Sequence, residues 1–302
     1  MVIKKLLVYD ILNKLNNTLY MKKILRKLFL NNFKSIFYMI QNSNSNYFDY
    51  NKIELVIKKD CCLGLKNTKI QTRIDQIITP NILKKGKWDY FIIKFICKYI
   101  KNKTNQFSFI DLGSNIGLIT RQLYLKKPDI KNFHCIEPEK ENYNILLNNL
   151  DSVKNVYTYN CALTNQESGI KKMYLNKNNF GDFSLLKNSN KTTTYINTLN
   201  ASSFFNKIIS KHKINKIIYK SDTQGFDEMI VLSLSKKILD KIDMMILEIS
   251  NFYYLKKNIL QFFALIENYN VKENDIGKKI DKEQIKKMIS DEVEFNLLLY
   301  KD

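Results

Sequence analysis

FIDLGSNIGL, residues 109–118, joins an apolar run to an acid and to two glycines that three residues separate. This pattern predicts a buried strand that turns into a helix. Because glycine has no Cβ, Gly113 and Gly117 allow a tight turn in which the backbone can approach another group closely. The next apolar run, NFHCIEP at 132–138, predicts a second strand that ends at Glu137. The two units together indicate an α/β domain with a nucleotide-type ligand site.

The glycine spacing separates one class of nucleotide ligand from another. Dinucleotide-binding folds use G-x-G-x-x-G, in which the second glycine lets the backbone approach a pyrophosphate. That glycine is missing between Gly113 and Gly117, so NAD is disfavoured. Glu137 follows Gly117 by about 20 residues, where a carboxylate binds ribose hydroxyls in such folds. We therefore expect a nucleoside-containing cofactor without a pyrophosphate, and the alternative is an ordinary strand-to-helix turn.

Strands and helices are predicted to alternate from residue 107 onward, which favours a parallel sheet covered by helices on both faces. Strands are expected at 107–111, 132–137, 155–163, 214–222, 242–250 and 294–300, helices at 117–126, 139–150, 226–237 and 255–268, and a strand followed by a helix at 192–212. Upstream, 47–75 holds short β-like runs, and Trp88 begins an apolar helix. Ligands in such sheets lie beyond the carboxyl ends of the strands. We expect these acids to converge there: Asp111, Glu137, Asp222 and Glu248.

The chain is strongly basic, with 49 lysines and arginines, 29 aspartates and glutamates, and a formal net charge of +20. Such an excess is typical of proteins that bind nucleic acid or anionic membranes. Only Arg26, Arg73 and Arg121 are arginines, however. Because arginine makes the paired hydrogen bonds that recognise phosphate and guanine, its scarcity disfavours specific nucleic-acid binding. A general compositional skew toward lysine is the simpler interpretation.

The cysteines and the N-terminal residues indicate in which cellular compartment the protein is expected. Five cysteines without a C-x-x-C pair, and no histidine at metal-ligand spacing, predict neither a disulfide framework nor a structural zinc site. We expect a reduced, cytoplasmic protein. Charges interrupt the first 40 residues, so no transmembrane segment or secretory signal is expected. Apolar residues at helical spacing in 25–37 predict a basic helix that packs on protein or makes peripheral membrane contact.

Several motifs occur in an order that resembles one protein family. They are GKWDYF at 86–91, DLGSNIG at 111–117, IEPEKENYNILLNNL at 136–150, NCAL at 160–163, the loop with Asn179, Gly181, Ser184 and Leu185, SDTQGFD at 221–227 and ILEIS at 246–250. Asp-x-Gly-x-Asn-x-Gly resembles the first motif of class I S-adenosylmethionine-dependent methyltransferases. The whole set resembles the FkbM-type methyltransferases, which methylate hydroxyl groups of sugars and related metabolites. Asn200 departs from the family, which usually has Asp after Thr-Leu.

The resemblance implies a Rossmann-like, mostly parallel seven-stranded sheet flanked by helices, with an N-terminal helical and β extension. It divides the chain into a basic helical extension at 1–45, a lead-in segment at 46–104 and a class I methyltransferase domain at 105–302. It also implies S-adenosyl-L-methionine as cofactor. Asp111 and Asn115 would approach the methionine moiety, Gly113 and Gly117 would give backbone access, Glu137 would hold the ribose, and Cys161 and Ala162 would lie near the adenine.

A sugar hydroxyl is a poor nucleophile until a base takes its proton. Asp222 is the first candidate base, although it could instead orient the substrate or the methionine amino group. Glu248 is the second, with helix capping, an ion pair or a divalent cation shared with Asp222 as alternatives. Asp227 is expected to be an exposed acid in the first turn of a helix. His134 is expected in the core, and His212 at the end of the sheet opposite the crevice.

The function that these residues favour is O-methylation of a sugar, glycan or related metabolite. One alternative is RNA ribose 2′-O-methylation, in which the lysine excess would bind phosphates and Lys220 would join Asp222 in a Lys/Asp/Lys/Glu-type set. Another is a non-catalytic binding or scaffold module. The acceptor pocket is expected to involve the loop at 177–191 and the N-terminal segment, whose spacing has no chemical signature.

Overall fold

The computed structural model describes residues 53–57, 68–73, 77–85, 87–176, 179–186, 192–273 and 278–302. The basic helix predicted within 1–45 lies outside these residues. So do Cys61 and Cys62, which are consecutive in the sequence. The strands are β1 Ile53–Ile57, β2 Thr68–Thr72, β3 Phe107–Leu112, β4 Asn132–Ile136, β5 Val156–Tyr159, β6 Ala162–Thr164, β7 Gly169–Leu175, β8 Thr192–Asn200, β9 Lys216–Ser221, β10 Ile242–Ile249, β11 Asn270–Glu273 and β12 Phe295–Tyr300. The helices are α1 Ile78–Lys85, α2 Tyr90–Ile100, α3 Leu118–Lys126, α4 Lys140–Asn149, α5 Ala201–His212, α6 Asp227–Ser233, α7 Lys236–Leu239, α8 Phe252–Lys257, α9 Ile259–Ile266 and α10 Lys282–Ser290.

A seven-stranded sheet in the order β11-β12-β10-β9-β3-β4-β5 forms the centre of the fold. Strands β5, β4, β3, β9 and β10 run parallel to one another, and β12 is antiparallel to both β10 and β11. This topology confirms the predicted fold class, a Rossmann-like and mostly parallel sheet. The strand order reverses direction between β3 and β9, and ligands bind beyond the carboxyl ends of strands at such a switch point.

Alternation of side chains along β3 divides the apolar core into two layers. Phe107 and Phe109 pack into the cluster on one face of the sheet, and Ile110 and Leu112 pack into the cluster on the other. All six residues of β3 are buried. A strand covered on both faces becomes apolar throughout, because side chains alternate between the two faces. The loop after β3 is therefore anchored to the most buried part of the sheet.

The expected strand at 155–163 is two strands in different sheets, so the single-strand prediction was wrong. The chain leaves the central sheet after β5, where the Asn160 amide donates to the carbonyl oxygens of Glu137 and Pro138, at 2.9 and 3.0 Å. Strand β6 then pairs in parallel with β8, which is antiparallel to β7. This three-stranded sheet brings Ala162 and Met173 to the same side of the molecule as the carboxyl ends of β3 and β4.

Several helices also differ from the sequence prediction. The helix expected at 226–237 is divided into α6 and α7, and the one expected at 255–268 is divided into α8 and α9 at Asn258. Strand β11 and helix α10 were not predicted, although α10 begins with a capping box in which Asp281 and Gln284 each bond to the other's backbone N–H. No helix in the described ranges combines the length and apolar character needed to cross a membrane.

The lead-in segment packs directly on the α/β domain. The Gln71 N–H of β2 donates to the side-chain oxygen of Asn149 at 2.8 Å, and the Asn149 amide donates to the Gln71 carbonyl at 2.9 Å. The Gln122 amide of α3 donates to the Trp88 carbonyl at 2.7 Å, which fixes the chain just before α2. Residues of this segment therefore reach the ligand side of the sheet.

Candidate active site

A cavity of about 320 Å³ opens at the carboxyl ends of β3, β4, β9 and β10. Its volume lies in the range of small-molecule sites, roughly 300–1,000 Å³. Of the nine residues proposed from the sequence as catalytic or cofactor-binding, six line it: Gly113, Asn115, Glu137, Ala162, Asp222 and Glu248. The other three do not line it: Asp111, Gly117 and Cys161. The sheet thus brings the two proposed catalytic acids and most of the proposed cofactor residues to one place.

The turn at 113–117 is held against two neighbouring strands. The N–H groups of Gly113 and Ser114 both donate to the Ile136 carbonyl of β4, at 3.0 Å. Gly113 has a φ of +72°, and a Cβ there would overlap the backbone carbonyl of Asp222, after β9. Only glycine suits that position, because it combines a left-handed φ with close backbone contact. The turn therefore lies directly beside the proposed catalytic acid.

Glu137 lies at the end of β4 and is 5 % exposed. Its Oε2 accepts the Asn115 N–H at 2.8 Å, and its Oε1 accepts the Glu139 N–H at 2.9 Å. Burial raises the pKa of Glu137 to about 8, although these hydrogen bonds act in the opposite direction. Each carboxylate oxygen can accept two hydrogen bonds, so each keeps capacity for a hydroxyl donor.

Asp111 lies beneath the turn, fully buried, rather than in the cavity. Its Oδ2 accepts the Thr120 hydroxyl at 2.8 Å, and its Oδ1 lies 3.4 Å from the Lys220 ammonium. Lys220 also donates to the Gly113 carbonyl at 3.0 Å. Burial alone would lower the pKa of Lys220, but Asp111 and Asp222 raise it above its ordinary value. The Asp111–Lys220 pair thus supports the turn from below.

Asp222 and Glu248 are joined by Gln224, a residue that the sequence argument did not single out. The Gln224 amide nitrogen donates to Asp222 Oδ1 and to Glu248 Oε2, both at 2.9 Å. Gln224 has a φ of +55°, which is uncommon for a residue with a side chain and often marks functional sites. Burial and the nearby Asp222 raise the pKa of Glu248 far above its ordinary value. Glu248 is therefore protonated near neutral pH, and Asp222 is the better placed base.

Asp227 is buried, so the expectation of an exposed first-turn acid was wrong. It accepts the Ser221 hydroxyl and the Thr223 N–H, the latter at 3.1 Å from both carboxylate oxygens. Burial raises the pKa of Asp227 to about 6. Its neighbour Glu228 accepts the N–H groups that follow β10 and is also buried. The two acids hold the loops that carry Asp222 and the end of β10.

Residues 179–186 form a strap that contributes to the cavity wall, and they belong to the loop at 177–191 that the sequence placed at the acceptor pocket. The Phe180 carbonyl accepts the side-chain amides of Asn115 and Asn142, at 3.1 and 2.9 Å. The Arg73 guanidinium lies 3.7 Å from the centroid of the Phe180 ring and pairs with Glu139 at 2.9 Å. The strap contributes to the lining with Asn179, Phe180, Gly181, Phe183 and Leu185.

The remaining proposed cofactor residues have separate positions. Ala162 lines the cavity beside Leu163 and Pro138. Cys161 belongs instead to the apolar core, where burial raises the pKa of its thiol to about 12. Gly117 has a φ of +80° at the start of α3, and a Cβ there would press on the Leu150 side chain. The role of Gly117 is thus to begin the helix after the turn.

The two histidines lie outside the cavity lining. His134 is buried, its Nδ1 lies 3.1 Å from the Tyr159 hydroxyl, and burial lowers its pKa to about 3. His212 packs on Tyr157 and on His134, with ring centroids 4.1 and 4.9 Å away. Across the described ranges, no group of three or more His, Cys, Asp or Glu side chains is arranged to hold a metal ion.

Comparison with known proteins gives no matching family model and no matching curated protein. Among solved structures, the chain is similar to methyltransferase FkbM from Methylobacillus flagellatus KT, with 14% identity, a TM-score of 0.38, and alignment over 73% of this chain and 52% of that one. It is also similar to the plantazolicin methyltransferase BpumL in complex with SAH, with 10% identity, a TM-score of 0.38, and coverage of 71% and 84%.

A third similar structure is the SAM-dependent methyltransferase from Agrobacterium tumefaciens, with 7% identity, a TM-score of 0.38, and coverage of 86% and 72%. The chain spans about half the length of the FkbM structure. At these identities and TM-scores the similarity does not extend to function. An FkbM methyltransferase, of the family that the motifs resemble, is thus among the structures to which this chain is similar.

Proposed function

We propose that this chain is an S-adenosylmethionine-dependent methyltransferase that methylates a hydroxyl group of a sugar, glycan or related metabolite. The observation that carries the proposal is the meeting of three features in one cavity. They are the glycine turn after β3, the Glu137 carboxyl at the end of β4, and the Asp222 and Glu248 carboxyls joined by Gln224.

The cavity residues fit the proposed cofactor. Glu137 keeps acceptor capacity for the two ribose hydroxyls. Gly113 and Asn115 would contact the methionine part from half-buried positions in the turn, and Ala162 and Leu163 supply apolar surface for the adenine. When bound, S-adenosylmethionine supplies a methyl group on a sulfonium, which is already activated for transfer.

The work left to the chain is alignment of the acceptor, removal of its proton and exclusion of water. The side chain of Asp222 is 37 % exposed and beside the turn, so it would accept the hydroxyl proton at its carboxylate. Glu248 keeps its proton and would hold the acceptor by hydrogen bonding. Gln224 fixes both carboxyls, and the strap at 179–186 excludes water.

RNA ribose methylation is less well supported by the site. Among the described residues that line the cavity, Lys220 is the only lysine. Its ammonium is already engaged with the Gly113 carbonyl and Asp111. A Lys/Asp/Lys/Glu-type set would need a lysine that reaches the acceptor, and the described lining offers none.

Calorimetric titration with S-adenosylhomocysteine and, separately, NAD tests the proposal. We expect S-adenosylhomocysteine to bind and NAD not to bind, because the turn lacks the glycine that approaches a pyrophosphate. Binding of NAD, or of neither compound, would overturn the cofactor assignment and favour a scaffold role. Once binding is established, methyl-labelled S-adenosylmethionine and a panel of sugars identify the acceptor.

A further inference from the structure

The cavity has a charge opposite to that of the chain as a whole. The protein has a formal net charge of +20, yet five carboxyl side chains line the cavity, and Lys220 is the only basic side chain among the described residues of the lining. The carboxyls are those of Asp89, Glu137, Asp222, Glu248 and Glu294. Because burial raises the pKa of Glu137 and of Glu248, these two hold protons near neutral pH, and the negative charge comes from the other three. A basic surface would attract anions to the molecule in general, but this cavity would not favour them.

Lys220 offsets this charge only in part. Its side chain is 6 % exposed, and its ammonium lies 3.0 Å from the Gly113 carbonyl oxygen, 3.4 Å from Asp111 Oδ1 and 3.7 Å from Asp222 Oδ2. Asp111 is fully buried beneath the turn, whereas the side chain of Asp222 is 37 % exposed. One ammonium thus faces two carboxylates, and the excess negative charge lies at Asp222, on the side of the cavity.

The hydrogen-bonding groups around Asp222 also favour a ligand that donates hydrogen bonds over one that accepts them. The Gln224 amide has two hydrogens, and both are used on Asp222 and Glu248. Glu248 is also hydrogen-bonded to Glu294, which is exposed at the cavity. Glu248 keeps its proton, and its hydrogen bond to Glu294 uses that proton, so a ligand that reaches this region meets the carboxylates of Asp222 and Glu294 as acceptors. Hydroxyl and ammonium groups satisfy such acceptors, whereas a phosphate group is itself an acceptor and carries the same charge.

We infer, on the basis of the proposed function, that the acceptor is uncharged or carries an amine, and that the site rejects phosphorylated acceptors, RNA included. Asp222 and Glu294 are the residues that set this preference. Asp222 lies beside the turn proposed to hold the methionine part of the cofactor, so the preference acts close to the transferred methyl group.

Sinefungin tests the inference without knowledge of the acceptor. It resembles S-adenosylhomocysteine but carries an amine where the cofactor carries its methyl group, so it places a positive charge in the acceptor region. We expect sinefungin to bind about fivefold more tightly than S-adenosylhomocysteine, which corresponds to one charge pair with the partly exposed Asp222 carboxylate. Asp222→Asn is expected to remove most of that advantage, and Asp129→Asn, an exposed change outside the cavity, is expected to keep it.

The outcomes separate the two proposals. If neither compound binds, the cofactor assignment fails. If both bind equally well, or if Asp222→Asn keeps the full advantage of sinefungin, the methyltransferase proposal stands and the charge inference is overturned. A second assay uses RNA transcripts with methyl-labelled S-adenosylmethionine. We expect no label in the RNA, and label that is retained after a high-salt wash would overturn the inference.

Discussion

At Glu137, burial and hydrogen bonding act on one carboxyl in opposite directions. Burial disfavours the ionised form, whereas the N–H groups of Asn115 and Glu139 favour it. Burial has the larger effect, so the pKa rises to about 8. A ligand that donates hydroxyl groups to this carboxyl would favour the ionised form and bind better once the proton has left.

Affinity for S-adenosylhomocysteine should therefore rise with pH. Below the pKa of about 8, binding of the ligand must displace a proton from Glu137, so the affinity should increase by up to about tenfold per pH unit. Above that pKa the affinity should no longer change with pH. Glu137→Gln should bind more weakly than the wild type at high pH and lose the pH dependence. Calorimetry from pH 6 to 9 measures both effects. Glu167→Gln, at an exposed position outside the cavity, serves as control, and a flat wild-type profile would contradict the ribose assignment.

A second single-residue change, Asp222→Asn, tests whether Asp222 is the catalytic base. Asparagine keeps the oxygen that accepts from Gln224, but it cannot take a proton. We expect kcat to fall by roughly 10²–10⁴-fold with little change in affinity for S-adenosylhomocysteine. Single-turnover methyl transfer to the acceptor found by screening measures the loss, with Asp129→Asn as control. A variant with nearly full activity would leave Asp222 with an orienting role only.

The turn between β3 and α3 is the element on which the site depends. Its backbone is bonded to β4, approaches the backbone after β9, and rests on the buried Asp111–Lys220 pair. The strap at 179–186 is bonded to the same turn through Asn115. Because these contacts share one short segment, a change in its backbone should disturb the whole cavity.

Gly113→Ala should lower the free energy of unfolding by about 2 kcal/mol or more, because it combines an unfavourable φ with overlap against the Asp222 carbonyl. It should also abolish binding of S-adenosylhomocysteine. Gly169→Ala is the matched control, since a Cβ there meets nothing within 4 Å, and its effect should stay within about 0.5 kcal/mol. Urea unfolding compares the two variants. Equal midpoints would show that the turn tolerates a side chain.

At the scale of the whole molecule, several buried acids hold protons that the unfolded chain would release. Burial raises the pKa of Glu137 to about 8, of Glu228 to about 7 and of Asp227 to about 6. A raised folded-state pKa gives stability that is fully present below the unfolded pKa and is lost as the pH rises through the folded pKa. His134 has the opposite effect on stability. Burial lowers its pKa to about 3, so its contribution makes stability increase with pH, but only at acidic pH.

The free energy of unfolding should therefore decrease as the pH rises from about 6.5 to about 8, the range above the ordinary histidine pKa and up to the folded pKa of Glu137. The slope should approach about 1.4 kcal/mol per pH unit for each proton released. Glu137→Gln should reduce the slope, because the amide does not titrate. Urea midpoints at several pH values provide the measurement, again with Glu167→Gln as control. Stability that rises over this range would contradict the burial of these acids in protonated form.

Local rules were enough to predict the central strands and the turn. Apolar runs of strand length, two glycines and an acid at the strand end are visible in consecutive residues. The predicted bounds of β3, β4, β9 and β10 agree with the structure to within two residues. The convergence of Glu137, Asp222 and Glu248 also followed from the sequence, because parallel strands place their carboxyl ends at one edge of the sheet.

Tertiary structure alone decided which side chains reach the cavity. Asp111 is two residues before Gly113 in the motif, yet its side chain is buried beneath the turn, where Lys220 and Thr120 contact it. The Lys220 bond to Gly113 joins residues 107 apart in sequence, and the Phe180 bond to Asn115 joins residues 65 apart. No periodic pattern encodes such contacts. The charge of the cavity could not be predicted either. The sequence gives a net basic chain, and the carboxyls that line the cavity come together only when the sheet has folded.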